Sequence, residues 1–266
     1  AVESYANSPC VYGWMSDNEL PQALNMLDNS LSFDPTDERF SNSYATAWTF
    51  MYLKTGNIRV SISDVTDELR DEYRAMVYDK YLDTVSSALE KYAPNHMYLG
   101  CRLLTSCAKS ESIMRVAGYW CDVISFNYYG DWTPDFEFIS NVSEWTDAPF
   151  IATEWYAKGM DACTETNGLT NNSGAGFVVA TQSDRGKFYQ NFALGLMESK
   201  VCIGFDWFKY WDNDPTDTAA DLSNRDANKG ILDNSGVEYS DLVEYMKELN
   251  NQKYSVINFF DQRNAK

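Results

Sequence analysis

Five short, almost continuously apolar runs constrain this chain more than any other feature. They span positions 11–15, 97–103, 123–129, 150–154 and 201–210. A strand with one wet face alternates apolar and polar residues, whereas these runs carry apolar side chains on both faces. That is the composition of parallel strands covered on each side. Helical patterns lie between them, over 44–54, 67–92, 110–117, 181–199 and 240–249. In the longest, Thr66 is placed to cap the N-terminus and Asp67 and Glu68 complement the helix dipole. Leu69, Tyr73, Met76, Val77, Leu82, Val85 and Leu89 form its inward stripe, and Pro94 stops it. Strand–helix–strand repetition implies a mostly parallel sheet with right-handed crossovers.

The expected class is therefore α/β, of (β/α)8 TIM-barrel type. Five strands cannot close such a barrel, so either about three further βα units lie upstream or the sheet is open. The first six residues read as the tail of a helix without a start. On this reading the chain begins partway through a domain, and residues 1–266 form the C-terminal portion of one barrel. In such barrels the loops after the strands build the active site. Here those loops are long and rich in Asp, Asn, Trp and Gly. The polar stretch 161–173 is expected to cover the site.

Composition narrows the partners. A net charge of −18 repels phosphate backbones and anionic lipid, which excludes nucleic acid and membrane surfaces. No apolar stretch is long enough for a membrane span, and no signal peptide is visible. Aromatic residues make up 15% of the chain, with 8 Trp and 18 Tyr, a supply of flat faces with polar tips that suits sugars. The six cysteines contain no Cys-x-x-Cys pair, so neither a zinc site nor a disulfide framework is read. Cys101, Cys121 and Cys202 are expected as buried thiols. His96 is the only histidine and precedes a strand, which places it at the face opposite the site in a structural role. Asp212, Asn213, Asp214 and Asp217 lack a full calcium-loop pattern and read as a solvated turn. No Gly-rich phosphate loop follows a strand. No metal or other cofactor is expected.

Two strand ends carry chemistry. One is Gly13-Trp14-Met15-Ser16-Asp17-Asn18-Glu19-Leu20-Pro21; the other is Phe150-Ile151-Ala152-Thr153-Glu154-Trp155-Tyr156. Each places a Glu at a strand end among aromatic and amide side chains. Glycoside hydrolysis with retention needs a carboxylate nucleophile and a carboxylic acid about 5–5.5 Å apart. The acid needs desolvation or a nearby negative charge, which Trp14, Trp155 and the other carboxylate could supply. The nucleophile needs donors, and Arg102, Asn127 and Tyr129 lie at or near neighbouring strand ends. Trp207 is expected as the floor under a sugar ring, with Tyr210, Trp211 and Asp212 at the rim.

The phrases Gly13–Pro21, Pro94-Asn95-His96-Met97-Tyr98-Leu99-Gly100-Cys101-Arg102, Ser125-Phe126-Asn127-Tyr128-Tyr129 and Trp207-Phe208-Lys209-Tyr210-Trp211-Asp212-Asn213-Asp214-Pro215 together resemble the retaining (β/α)8 glycosidases. More narrowly they resemble the agarase-like glycoside hydrolases of families 50 and 86, and more distantly the beta-galactosidases of family 42. The resemblance runs from strand 4 to strand 8 of that fold. It implies that Glu19 is the acid/base and Glu154 the nucleophile, with Tyr129 hydrogen-bonded to Glu154. It also implies that Asn18 and Asn127 face the reacting sugar and that Trp207 is the platform. The expected reaction is endo-hydrolysis of a β-linked galactan of agarose or porphyran type. The alternatives are an exo-acting β-galactosidase and a non-catalytic sugar-binding barrel. An oligo- or polysaccharide is the expected ligand. The other expected partner is an N-terminal part of the barrel, on the same polypeptide or a second chain. A polymer of this size implies a secreted or periplasmic location.

Overall fold

In the computed structural model, which describes residues 2–21 and 23–263, the apolar runs become short parallel strands. In chain order the elements are α1 (Val2–Tyr5), β1 (Gly13–Trp14), α2 (Met26–Leu31), α3 (Ser41–Thr55) and α4 (Asp67–Tyr92). Next come β2 (Met97–Tyr98), β3 (Leu103–Leu104), α5 (Thr105–Ala108), α6 (Glu111–Trp120), β4 (Ile124–Asn127), α7 (Phe136–Thr146) and β5 (Phe150–Glu154). The last are β6 (Ala157–Gly159), β7 (Phe177–Val179), α8 (Gln182–Glu198), β8 (Cys202–Phe205) and α9 (Ser240–Gln262).

The named strand pairs are all parallel. β1 pairs with β2, and β3, β4, β5 and β8 form one sheet in that order. β2 and β3 are two halves of one run, broken where Gly100 and Arg102 take left-handed backbone at φ 76° and 39°. That break is why the expected strand 97–103 is not continuous. Backbone bonds from Ser16 N to Gly100 O (2.9 Å) and from Glu19 N to Arg102 O (3.1 Å) carry the ladder across it. The five runs thus lie side by side in chain order, an open arc of the (β/α)-barrel kind. β6 and β7 form a separate pair beyond the end of β5.

Packing explains the arc. Phe126, Phe150 and Ala152 are fully buried between the sheet and its helices. α6 and α7 touch backbone to backbone, since a Cβ on Gly118 would lie 2.4 Å from Thr146 O. Thr66 caps α4 by accepting from Leu69 N at 3.3 Å, as its sequence predicts. Met76 does not join the inward stripe and is 37% exposed.

Other boundaries differ from expectation for identifiable reasons. α9 runs on to Gln262 rather than stopping near 249, because neither Gly nor Pro interrupts that stretch. α7 was not foreseen; Asp135 starts it by accepting from Glu137 N and Phe138 N. The strands around 13–14, 124–127 and 202–205 are shorter than their apolar runs, since a run also counts residues that turn away at the strand ends. All six cysteines are free thiols; Cys101 and Cys121 are buried and Cys202 half-buried. Among the described residues no helix is long and apolar enough to cross a membrane.

Candidate active site

Strand register brings the predicted residues together. Asn127 at the end of β4 is the register partner of Glu154 at the end of β5, next to a bulge at Phe126/Asn127. The Asn127 amide donates to Glu19 Oε1 at 2.7 Å and to Asn18 Oδ1 at 3.2 Å. Its own oxygen accepts from Thr153 Oγ1 at 2.8 Å. One side chain therefore ties the ends of three strands. Glu19 itself sits in left-handed backbone, φ 51°, at the turn that leaves β1. Before that turn, Ser16 Oγ lies 2.8 Å from both the Tyr98 and the Tyr81 hydroxyl.

Glu154 is held from two sides. Tyr129 OH donates to Glu154 Oε2 at 2.9 Å, and the Arg102 guanidinium forms an ion pair with Oε1. Burial pushes the Glu154 carboxyl above the usual carboxylate range. The Tyr129 hydrogen bond and the Arg102 charge pull it back, and the nearby Glu19 adds to the rise. Tyr129 is pushed far up by its own burial and by Glu154, so it remains a phenol and keeps donating. Thr105 Oγ1 donates to Asn127 O at 2.6 Å and accepts from Tyr129 N at 2.9 Å, which fixes the turn carrying both residues.

Asn18, Glu19, Arg102, Tyr129 and Glu154 line one cleft of about 530 Å³, a size that suits a small ligand or a few sugar rings. Tyr156, Gly174, Ala175, Phe208, Asp221, Ser223 and Asn224 make up its other side.

The remaining expected residues lie elsewhere. Trp155 is 1% exposed and stacks on Tyr189 and Phe192, with centroids 5.3 and 4.8 Å away. It follows Glu154 in extended chain, so it points to the opposite face, into the core. Asn127 is fully buried with its amide committed on both atoms, so it holds the Glu19 carboxylate and the Asn18 amide rather than facing a ligand. Trp207 gives its indole N–H to Lys229 O at 2.8 Å and meets Trp155 edge-on; it does not line the cleft. Tyr210 is 66% exposed outside the cleft. Trp14 likewise turns away, donating to His96 Nδ1 at 3.0 Å. Asp212 is not a solvated turn. It is buried and accepts from Lys229 N, Gly230 N, Asn228 Nδ2 and Tyr239 OH.

Sequence reasoning missed Tyr156, Phe208 and the 221–224 segment. A signal for Tyr156 existed: two positions beyond Glu154, it falls on the same side of the chain. Phe208 stands beside the Trp that was chosen instead. Nothing local marks Asp221, Ser223 or Asn224. Among the described residues no group of His, Cys, Asp and Glu could hold a metal ion.

Parallel strands arrayed in chain order, with two carboxyl side chains gathered at their C-terminal ends, give an α/β chain of the parallel-barrel class. Comparison with known proteins narrows this. No family model matches the chain. It is 30% identical over 283 residues to beta-agarase B of Vibrio sp. (strain JT0107), covering 93% of this chain and 28% of that protein. It is 28% identical over 177 residues to beta-agarase A of the same organism, covering 64% of this chain and 16% of that one. The chain thus spans less than a third of the length of the curated relatives it matches. The solved structure titled "Crystal structure of BpGH50" superposes with a TM-score of 0.82 at 35% identity, covering 98% of this chain and 56% of that one. Another, "Structural analysis of an exo-beta-agarase", shares the fold with a TM-score of 0.78 at 21% identity, over 96% of this chain and 37% of that one. In sequence and in fold the chain is agarase-like, and its resemblance is to family 50 of the glycoside hydrolases.

Proposed function

We propose that this chain carries the catalytic pair of a glycoside hydrolase that cleaves a β-linked galactan of the agarose type with retention of configuration. Glu154 is the nucleophile. Arg102 and Tyr129 supply the donors that keep it ionised in a buried position. Glu19 is the acid/base: it protonates the leaving glycosidic oxygen and then takes a proton from the water that hydrolyses the glycosyl–enzyme intermediate. Asn18 is placed to hold a hydroxyl of the reacting sugar, and Phe208 and Tyr156 offer aromatic faces in the same cleft. The five strand runs form part of the catalytic barrel, and further βα units are needed to close it. A polymeric substrate implies action outside the cytoplasm.

The observation that carries this reading is the convergence of Glu19 and Glu154 on one cleft, with Asn127 bridging their strands. The test is hydrolysis of agaro-oligosaccharides followed by proton NMR. The first-formed product should keep the anomeric configuration of the bond that was cut. Glu154→Gln and Glu19→Gln should each lose about 10²–10⁴ in rate. An inverted first product, or a Glu154→Gln variant that turns over normally, would refute the assignment.

A further inference from the structure

Lys158 is an unusual residue to bury. It lies on β6, is 4% exposed, and its Nζ donates to three backbone carbonyls: Asn171 O at 3.3 Å, Ser173 O at 2.8 Å and Gly174 O at 2.9 Å. Burial pulls the ammonium below its usual range, partly offset by the charge of Asp226. A buried ammonium facing neutral carbonyls is expensive to fold around. What it does that an apolar side chain could not is to gather three carbonyls at one point.

Asp226 treats the same strip from the other side. Its carboxylate accepts from Asn172 N at 3.1 Å and from the hydroxyls of Thr170 and Ser173. Its backbone oxygen accepts from Thr170 N at 3.1 Å and Asn171 N at 3.0 Å. Residues 170–174 are thus clamped, carbonyls toward a cation and N–H and O–H groups toward an anion.

The clamped strip continues onto the cleft wall. Gly174 has φ +85°, and a Cβ there would come within 2.4 Å of the Tyr156 hydroxyl. A Cβ on Gly176 would lie 2.5 Å from the Tyr156 ring. Gly174, Ala175 and Tyr156 share the wall of the cleft. Tyr156 meets Tyr129 edge-on with centroids 5.6 Å apart, and Tyr129 donates to Glu154. We propose that Lys158 and Asp226 are positioning residues that press the 170–176 strip onto Tyr156 and so fix Tyr129 against Glu154. The kinetic part of this proposal rests on the hydrolysis proposed above; the clamp itself does not.

The test is Lys158→Met in the purified enzyme, which keeps the side-chain stem and deletes the three donors. Amide hydrogen exchange over 170–176 should accelerate by about tenfold or more, with α4 and α6 unchanged. kcat/KM on agaro-oligosaccharides should fall by about 10–100-fold, the penalty for misplacing groups by around an ångström. The acid limb of the pH–rate profile should move, because Tyr129 no longer holds Glu154 as firmly. Circular dichroism checks folding. If Lys158→Met does not fold, Gly174→Ala decides instead: it removes no charge, drives a methyl group at the Tyr156 hydroxyl, and should lower kcat/KM and move the acid limb in the same way. Unchanged exchange in a folded Lys158→Met would overturn the clamp. Faster exchange with unaltered kinetics and pH profile would overturn the positioning role. A wild-type enzyme that hydrolyses no galactan would instead refute the functional reading, while exchange would still decide the clamp.

Discussion

Replacing Arg102 by Met removes the cation paired with Glu154 and leaves the rest of the cleft in place. The sign follows from the forces on that carboxyl. Burial raises its pKa, and Tyr129 and Arg102 lower it. Without Arg102 the balance shifts further upward. A neighbouring guanidinium commonly lowers a carboxyl by 1–3 units. The Arg102 side chain is 26% exposed, so water screens part of its charge. The lower half of that range, about 1–2 units, is expected, or roughly 1.4–2.7 kcal/mol at 1.36 kcal/mol per unit. If Glu154 must be ionised to attack, the acid limb of kcat/KM against pH moves up by that amount. Activity at acidic pH then falls by about 10–100-fold while the alkaline limb stays put. Reducing-end release from a defined agaro-oligosaccharide across pH 4–9 measures this. An acid limb that does not move in an otherwise active variant would refute the claim that Arg102 keeps Glu154 charged.

Tyr129→Phe deletes the other donor to Glu154, a hydrogen bond to a charged group worth about 1.5–3 kcal/mol; the same assay should show an upward shift of the acid limb by about one unit. Trp155→Ala should destabilise the fold by about 3–5 kcal/mol in urea titration, since it empties the centre of the aromatic core. Tyr210→Ala, at an exposed position, should stay within about 0.5 kcal/mol in the same titration. Asp212→Ala strands three buried donors and the half-buried Tyr239 hydroxyl and should cost about 3–5 kcal/mol, read from the urea midpoint.

Continuous apolar runs can only be satisfied by burial on both faces, so the parallel strands and their order were legible. The carboxylates at 19 and 154 were legible for a related reason: each ends such a run, and a strand's end is where the chain leaves the core. Helix 67–92 was legible from Thr66 and Pro94. Side-chain direction was not. Trp207 looks like a sugar platform and Trp155 like a wall of the cleft by residue type, yet Trp155 faces the core and Trp207 spends its N–H on Lys229. Asn127 looks like a ligand contact and is instead the buried link between strand ends.

What the linear chain alone determined is which segments must lie side by side in a covered sheet, because the hydrophobic pattern of each run is a local property. Only the tertiary structure decided which loops close the cleft. Residues 174–175 and 221–224 reach it through bonds to Lys158, Asp226 and Lys229, partners set by the path of the folded backbone and invisible in any local window.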